Sequence, residues 1–137
     1  SLEDDATDFP TALRTFALAH QEHMAQPRTI AAVRMFSADL ARYPDDARAL
    51  FEAGYNTLQT RVAARIAAAM TRGELRRDDP SALAEMLIGM LVGFDVDRRR
   101  VGIPGRDTHA ERMAWSDRVV TAFLRAYGND ESAAGTA

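Results

Sequence analysis

The sequence predicts an all-α fold, and three observations lead to that class. Apolar residues recur every three or four positions over most of the 137 residues, which is the period of a helix buried on one face. The Tyr43–Pro44 step, Gly73 and the Asp79–Pro80 step stand where such runs end or begin. No run shows the strict alternation that is typical of a half-buried strand. We therefore expect five helices in one bundle-like domain.

Composition excludes several classes of protein. Hydrophobic residues make up 47% of the chain and charged residues 27%, which is typical of a globular domain rather than a disordered segment. Cysteine is absent, which removes disulfides and thiolate chemistry, and no apolar run reaches the roughly 20 residues of a membrane span. The net charge of −3 argues against DNA binding by this chain itself. We expect a cytoplasmic protein without a membrane partner.

Two helices are predicted in the first third of the chain. Residues 1–8 form an acidic lead-in whose start is consistent with a vector scar. Asp8 suits the N-cap of a first helix that ends near Pro27. The second helix follows and ends at Tyr43, because a residue before proline is pushed out of the α region. The residues expected to face inward are Phe9, Leu13, Phe16, His20, Met24, Ile30, Val33, Phe36 and Leu40.

The third helix is the longest one predicted. Asp45 and Asp46 suit its first turn, because carboxylates are stabilised at the positive end of a helix dipole. Gly73 is a natural C-terminal stop. Gly54 costs about 1 kcal/mol relative to alanine inside a helix, so we expect it to mark a kink or a close approach. One face of this helix should hold Phe51, Tyr55, Leu58, Val62, Ile66 and Ala69.

The fourth and fifth helices carry apolar residues on more than one face. The fourth is predicted from Pro80 to about Arg99, and the fifth from about Asp107 to Tyr127. A helix that is apolar all round must be covered on several sides, and a domain this small has few helices to do so. We therefore expect a two-fold symmetric homodimer. The residues expected in or beside its contact are Gly89, Val92, Gly93, Val96, Trp115, Val119 and Phe123.

Neither catalysis nor metal binding is predicted. His20 and His23 are three positions apart, yet the third histidine, His109, is far along the chain, and zinc normally takes four ligands. The serines lie in helical patterns, and the sequence has no glycine-rich phosphate loop. We expect no enzyme, no cofactor and no metal site.

Methionine and aromatic side chains gather on the inward or flanking faces of the first four helices. Most residues of this kind simply form a core, but methionine adapts to varied apolar shapes, and Tyr55, Gln59 and His20 could orient a bound molecule. Two interpretations stay open, a filled core and a pocket for a small apolar or aromatic effector. The residues expected to line such a pocket are Phe16, His20, Met24, Phe36, Phe51, Tyr55, Met86, Met90 and Phe94.

Five short motifs carry a resemblance to a known family. They are R-Y-P-D at 42–45, L-F-E-A-G at 50–54, R-G-E-L-R at 72–76, D-D-P at 78–80 and F-L-R-A-Y-G at 123–128. Their order and spacing resemble those of the C-terminal half of the TetR (tetracycline-repressor-like) regulators. The likeness runs from Arg34 to Tyr127, which is most of the chain.

The resemblance implies a domain organisation and a function. In this family a three-helix N-terminal head carries the helix-turn-helix that enters the major groove. That head is absent from this sequence, so residues 9–128 would be the sensor and dimerisation domain, followed by a flexible tail at 129–137. The last two helices would form a four-helix bundle with those of a partner subunit. We expect an effector-sensing repressor; the alternative is a dimerisation or protein-interaction domain with a filled core.

Overall fold

The computed structural model describes residues 7–129 of the chain. All regular structure in that range is helical, apart from one isolated antiparallel bridge between Leu75 and Gly128, so the predicted all-α class is confirmed. The helices are α1 (Phe9–Met24), α2 (Pro27–Asp39), α3 (Pro44–Phe51), a π-helical segment (Glu52–Asn56), α4 (Thr57–Thr71), α5 (Pro80–Val92), α6 (Asp95–Arg100) and α7 (His109–Tyr127). No helix in the described range is long and apolar enough to cross a bilayer.

Side-chain caps set the starts of three helices. The carboxylates of Asp8 and Asp79 accept hydrogen bonds from backbone N–H groups in the first turns of α1 and α5, as their positions predicted. At α7 the Thr108 hydroxyl and the Glu111 carboxylate bond each other's backbone N–H groups in a capping box. This box makes His109 the first helical residue, two positions later than predicted.

The third predicted helix is continuous but not uniform. It runs through α3 and α4, and between them the chain winds more loosely as a π-helix over Glu52–Asn56. Gly54, which was expected to mark a kink or a close approach, lies inside this segment. Nothing stands within 4 Å of the position that its Cβ would take, so no close approach requires glycine there.

The prediction of one fourth helix from Pro80 to Arg99 is wrong. Helix α5 ends at Val92, Gly93 takes a φ of +52°, and α6 begins at Asp95. A positive φ is easily adopted by glycine, so the chain changes direction at this residue. Periodicity could not reveal the break, because apolar residues continue on both sides of it.

The core lies between α1, α4, α5 and α7. Helix α5 is central, since it packs against each of the other three. Helix α2 contributes no buried residue and α3 only Ala47. The largest fully buried side chains are Phe9, Leu13, Val62, Ile66, Leu75, Leu83, Leu87, Leu91, Val120 and Phe123.

The end of α7 is tied to the turn that follows α4. The Arg76 N–H donates to the Tyr127 carbonyl at 2.9 Å, and the Asn129 side chain donates to the Gly73 carbonyl at 3.0 Å. Asn129, predicted to begin a flexible tail, is therefore anchored. The rest of that predicted tail (130–137) and most of the acidic lead-in (1–6) lie outside the described residues.

Candidate functional site

Two ring pairs hold four of the nine residues predicted to line a pocket. Phe16 and His20 lie one turn apart on α1, with ring centroids 5.9 Å apart. Phe51 and Tyr55 stack across the π-helical segment, with centroids 5.0 Å apart. The α1 pair is half-buried, whereas Phe51 is 51% exposed and Tyr55 46%. The apolar residues predicted on one face of the third helix are thus exposed near its N-terminal end and do not belong to the core there.

His20 is a polar group held in an apolar setting. Burial, assisted by the neighbouring His23, lowers the pKa of the His20 imidazole from 6.5 to about 4, so the ring is neutral near pH 7. Its Nδ1 is buried and has no hydrogen-bond partner among the described residues. A neutral imidazole can donate or accept a hydrogen bond at that nitrogen, depending on its tautomer.

A depression of about 270 Å³ lies between α2 and α3. Phe36 is the one predicted pocket residue that lines it, together with Met35 and Leu50, which are 64% and 62% exposed. Carboxylates of Asp39 and Asp46 stand at its wall. Large apolar side chains left uncovered side by side are typical of a surface that binds something.

The other predicted pocket residues lie elsewhere. Met24 borders a narrow gap of about 10 Å³ between α2 and α6, too small for an effector. Met86 is 48% exposed on α5 and its Sδ accepts a hydrogen bond from the Tyr127 hydroxyl at 3.5 Å. Met90 and Phe94 line a groove on α5–α7. The structure therefore spreads the nine residues over α1, α2, the end of α3, the π-helical segment, α5 and the break after α5, instead of closing one cavity around them.

Gln59, considered as a polar group for a ligand, has another role. Its side-chain amide donates to the Ser81 carbonyl at 3.1 Å and so ties α4 to the start of α5. No group of three or more His, Asp or Glu side chains in residues 7–129 has the arrangement of a metal site.

A second groove, of about 440 Å³, runs between α5, α6 and α7. Trp115 closes it on one side, with its indole N–H donating to the carbonyls of Met90 and Leu91 at 3.0 and 3.1 Å. Phe94 projects at its rim and is 72% exposed, because the break at Gly93 turns it away from the core. The groove is lined by Met90, Gly93, Phe94, Arg98, Arg106, Trp115, Arg118, Val119 and Ala122.

The seven residues predicted for a dimer contact fall into three groups. Gly93, Trp115 and Val119 line this groove, and Gly89 is exposed on the same helix as Gly93. Val92 and Val96 are half-buried. Phe123, at 0% exposure, belongs to the subunit's own core, so it can contribute to such a contact only by supporting the residues packed over it.

Gly93, predicted to let a partner helix approach, has a role within the subunit as well. A Cβ at this position would stand 3.2 Å from the Trp115 ring of the same chain, and the residue has a positive φ. Glycine is therefore required for the break after α5 and for the packing of Trp115 within the subunit.

A polar cluster that the sequence analysis missed surrounds the α5–α6 break. We call it the break cluster, and it comprises Gln21, Asp95, Arg99, Arg106 and Trp115. The Arg106 guanidinium donates to the carbonyls of Leu91 and Val92 at 3.1 and 3.0 Å and to the Gln21 side chain at 3.0 Å. It also lies over the Trp115 ring, 4.6 Å from the centroid. Carbonyls left free where α5 ends thus obtain donors.

Asp95 is the buried carboxylate of this cluster, at 6% exposure. Burial opposes its ionisation, but hydrogen bonds from the Arg99 side chain at 2.9 Å and the Arg106 backbone at 2.6 Å hold the pKa of Asp95 below its ordinary value. Arg34 of α2 donates to the Arg99 carbonyl at 3.0 and 3.2 Å. The break cluster therefore joins α1, α2, α6 and α7. An aspartate directly after the apolar run 87–94 was the signal that could have indicated it.

Comparisons with known proteins identify relatives of this chain among transcriptional regulators. Residues 11–129 match the family model described as AefR-like transcriptional repressor, C-terminal domain. The chain is also similar to a crystal structure assigned to the TetR family of transcriptional regulators, from Mesorhizobium loti MAFF303099, with 25% identity and a TM-score of 0.83. The match covers 90% of this chain and 61% of that one, so the chain spans less than two-thirds of its relative. No functionally curated protein matches the chain.

Proposed function

Because the chain belongs to the TetR family of transcriptional regulators, as a C-terminal domain of the AefR-like kind, we propose that it senses an effector and dimerises. The effector is a small apolar or aromatic molecule. Its binding alters repression by the DNA-binding head of the regulator. The chain itself, with a net charge of −3, does not bind DNA specifically.

The observation that carries the effector proposal is the uncovered apolar surface of α2, α3 and the π-helical segment. Helix α2 buries no residue, and Met35, Leu50, Phe51 and Tyr55 are all about half exposed or more. Covering such a surface stabilises the covered state by roughly 25 cal/mol per Å² of apolar area. A ligand that binds between these helices would supply the packing that the chain alone does not.

His20 supports the same proposal from α1. Its unpartnered Nδ1 would meet one polar atom of an otherwise apolar ligand, while Phe16 packs beside it. Sites for small molecules usually combine an apolar lining with a few placed polar groups. The neutral form of His20 leaves this nitrogen uncharged at pH 7.

A thermal-shift screen tests the effector proposal. A compound that binds only the folded state raises the melting temperature as its concentration exceeds Kd. We expect a shift from at least one apolar or aromatic compound, and loss of most of that shift in Phe36→Ala and Tyr55→Ala. Met113→Ala, which truncates an exposed apolar residue on α7, is the matched control and should keep the shift. A broad panel without any shift would contradict the proposal.

Dimerisation is proposed through the groove between α5, α6 and α7. Phe94 projects at its rim as an exposed apolar residue, and Ala122 leaves room on α7. In a two-fold dimer the same groove of each subunit would meet the other, and a stable contact should bury more than roughly 1,000 Å² in total.

Ala122→Arg tests the dimer more cleanly than a change at Gly93 would. Ala122 is exposed in the subunit, so an arginine there leaves the core intact and opposes only association. We expect sedimentation to report a dimer for the parent chain and a folded monomer for Ala122→Arg. Ala38→Arg, on the exposed side of α2, is the control and should remain dimeric. A parent chain that is monomeric at micromolar concentration would contradict the proposal.

The second candidate is a dimerisation or protein-interaction domain without an effector. The openness of both larger depressions to solvent favours it, because small-molecule sites are usually enclosed. The thermal-shift screen separates the two candidates, since an interaction domain would dimerise normally and respond to no small molecule.

A further inference from the structure

The depression between α2 and α3 carries charge of one sign. Among the described residues that line it, the only charged ones are Asp39 and Asp46, and the others are apolar or aromatic. The groove between α5, α6 and α7 is the opposite case, because its charged lining consists of arginines. Two surfaces of one small domain therefore differ in the charge of the molecule that they would attract.

The two carboxylates of the depression are not used by the fold. Both are exposed, and neither makes a hydrogen bond or an ion pair with another residue in the range 7–129. The neighbouring Arg42 guanidinium lies over the Tyr43 ring instead, 5.4 Å from its centroid. Each carboxylate is thus free to meet a cation from outside the domain.

The position of Asp39 is unfavourable for α2 itself. It is the last residue of that helix, whose last turn contains no basic residue. A carboxylate at this end meets the negative pole of the helix dipole, whereas Asp46 lies in the first turn of α3, where its charge is favourable. Helix stability therefore explains Asp46 but not Asp39.

The size and lining of the depression indicate a small ligand with an apolar body. Its volume of about 270 Å³ lies just below the roughly 300–1,000 Å³ of typical small-molecule sites. Met35 and Leu50 offer exposed apolar surface, and Tyr43, which is 47% exposed, offers an aromatic ring. Aromatic rings attract ammonium groups by cation–π interaction, so Tyr43 and the two carboxylates favour the same kind of ligand.

We propose that the effector is a cation, in which an ammonium or quaternary ammonium group is attached to a small apolar or aromatic body. This inference rests on the proposed effector site and adds the charge of the ligand. The apolar body covers Met35 and Leu50, and the positive charge lies near Asp39 and Asp46. One bound cation also reduces the repulsion between these two carboxylates.

Three probes of similar shape test the sign of the charge. Phenyltrimethylammonium is a cation, tert-butylbenzene is uncharged, and benzenesulfonate is an anion. Nuclear magnetic resonance titration of the whole chain at constant ionic strength measures their dissociation constants from the amide signals of residues 32–50. We expect the cation to bind about fivefold more tightly than the uncharged probe, and the anion to bind least tightly.

Conservative variants assign the effect to the two carboxylates. Asp39→Asn and Asp46→Asn should each weaken binding of phenyltrimethylammonium about two- to fivefold, and the double variant about tenfold, because each removes one exposed charge pair. Binding of tert-butylbenzene should stay roughly the same. Asp45→Asn is the matched control, since Asp45 is exposed in the first turn of α3 but does not line the depression. It should leave the binding of all three probes roughly unchanged.

The outcomes separate this inference from the effector proposal. If tert-butylbenzene binds at residues 32–50 as tightly as the cation does, the charge assignment is overturned and the effector site stands. Cation binding that Asp39→Asn/Asp46→Asn leaves unchanged would overturn the assignment in the same way. If none of the three probes changes these signals and the thermal-shift panel is also silent, the effector site and the inference both fail.

Discussion

The two halves of this molecule have similar spacing of apolar residues and different packing. In α4, α5 and α7, together with one face of α1, apolar residues at helical spacing are almost fully buried. In α2, α3 and the π-helical segment the same kind of pattern leaves Met35, Leu50 and Phe51 more than half exposed. The difference indicates that one half is organised by its own core, whereas the other half leaves its apolar side chains uncovered within the chain.

This contrast has a thermodynamic consequence. Burial of apolar surface is the main favourable term in folding, and nearly all of it lies in the packed half. The open half should therefore undergo local opening at lower cost than the global unfolding of the core. Ligand-binding regions are drawn from this less stable part of a structure, which connects the packing to the proposed effector role.

The largest expected effect comes from a matched pair of phenylalanines. Phe123→Ala removes a side chain that is 0% exposed and should lower the free energy of unfolding by about 3–5 kcal/mol. Phe51→Ala removes one that is 51% exposed and should cost less than about 1 kcal/mol. Urea unfolding of both variants at one protein concentration measures the difference. Equal losses would mean that the two halves are equally packed.

The pH dependence of stability probes His20, which lies on α1. Its folded-state pKa of about 4 is below the unfolded value of 6.5, so the unfolded chain binds the proton first as the pH falls. Stability is therefore lost between pH 6.5 and pH 4, by up to about 3 kcal/mol, and is fully present above pH 6.5.

Urea unfolding as a function of pH checks this dependence. His20→Gln should lack most of the loss between pH 6.5 and pH 4, whereas His23→Gln, a change at an exposed neighbour, should keep it. If all three chains lose the same stability over this range, then His20 is not a buried neutral imidazole.

A smaller effect is expected where the break cluster joins the two halves. A Cβ at Gly105 would overlap the Asp95 carboxylate and press on the Arg99 side chain. Gly105→Ala should cost about 1–3 kcal/mol, because buried hydrogen bonds of that carboxylate must lengthen or break. Gly54→Ala, where nothing stands within 4 Å, is the control and should be neutral or slightly stabilising. Urea unfolding that ranks the two variants in the opposite order would contradict the role of the break cluster.

Much of the fold could be predicted from local signals. Caps at Asp8 and Asp79 and the proline at position 44 set helix starts where they were expected, but α2 ends at Asp39, four residues before the predicted end at Tyr43. The break at Gly93 could not be predicted, because local periodicity is the same on both sides of it. Glycine can adopt a positive φ but also adopts negative values. At Gly93 the positive φ depends on contacts around Trp115, which lies far along the chain.

The candidate sites could not be predicted from the sequence, for a different physical reason. The stripe from Phe51 to Ala69 has one helical period, yet its first part is exposed and its last part buried. Only the positions of other helices decide which part is covered. The break cluster likewise depends on long-range contacts, since Arg106 binds a glutamine 85 residues away. Such pairings leave no local pattern.

Amide hydrogen exchange along the chain, with and without the compound that gives the largest thermal shift, tests the central claim most directly. In the free chain we predict fast exchange in residues 27–56 and slow exchange in α1, α4, α5 and α7. The compound should slow exchange chiefly in residues 27–56 and around His20. Slow exchange throughout the free chain, or protection by the compound confined to α5 and α7, would contradict the division between a packed half and a sensing half.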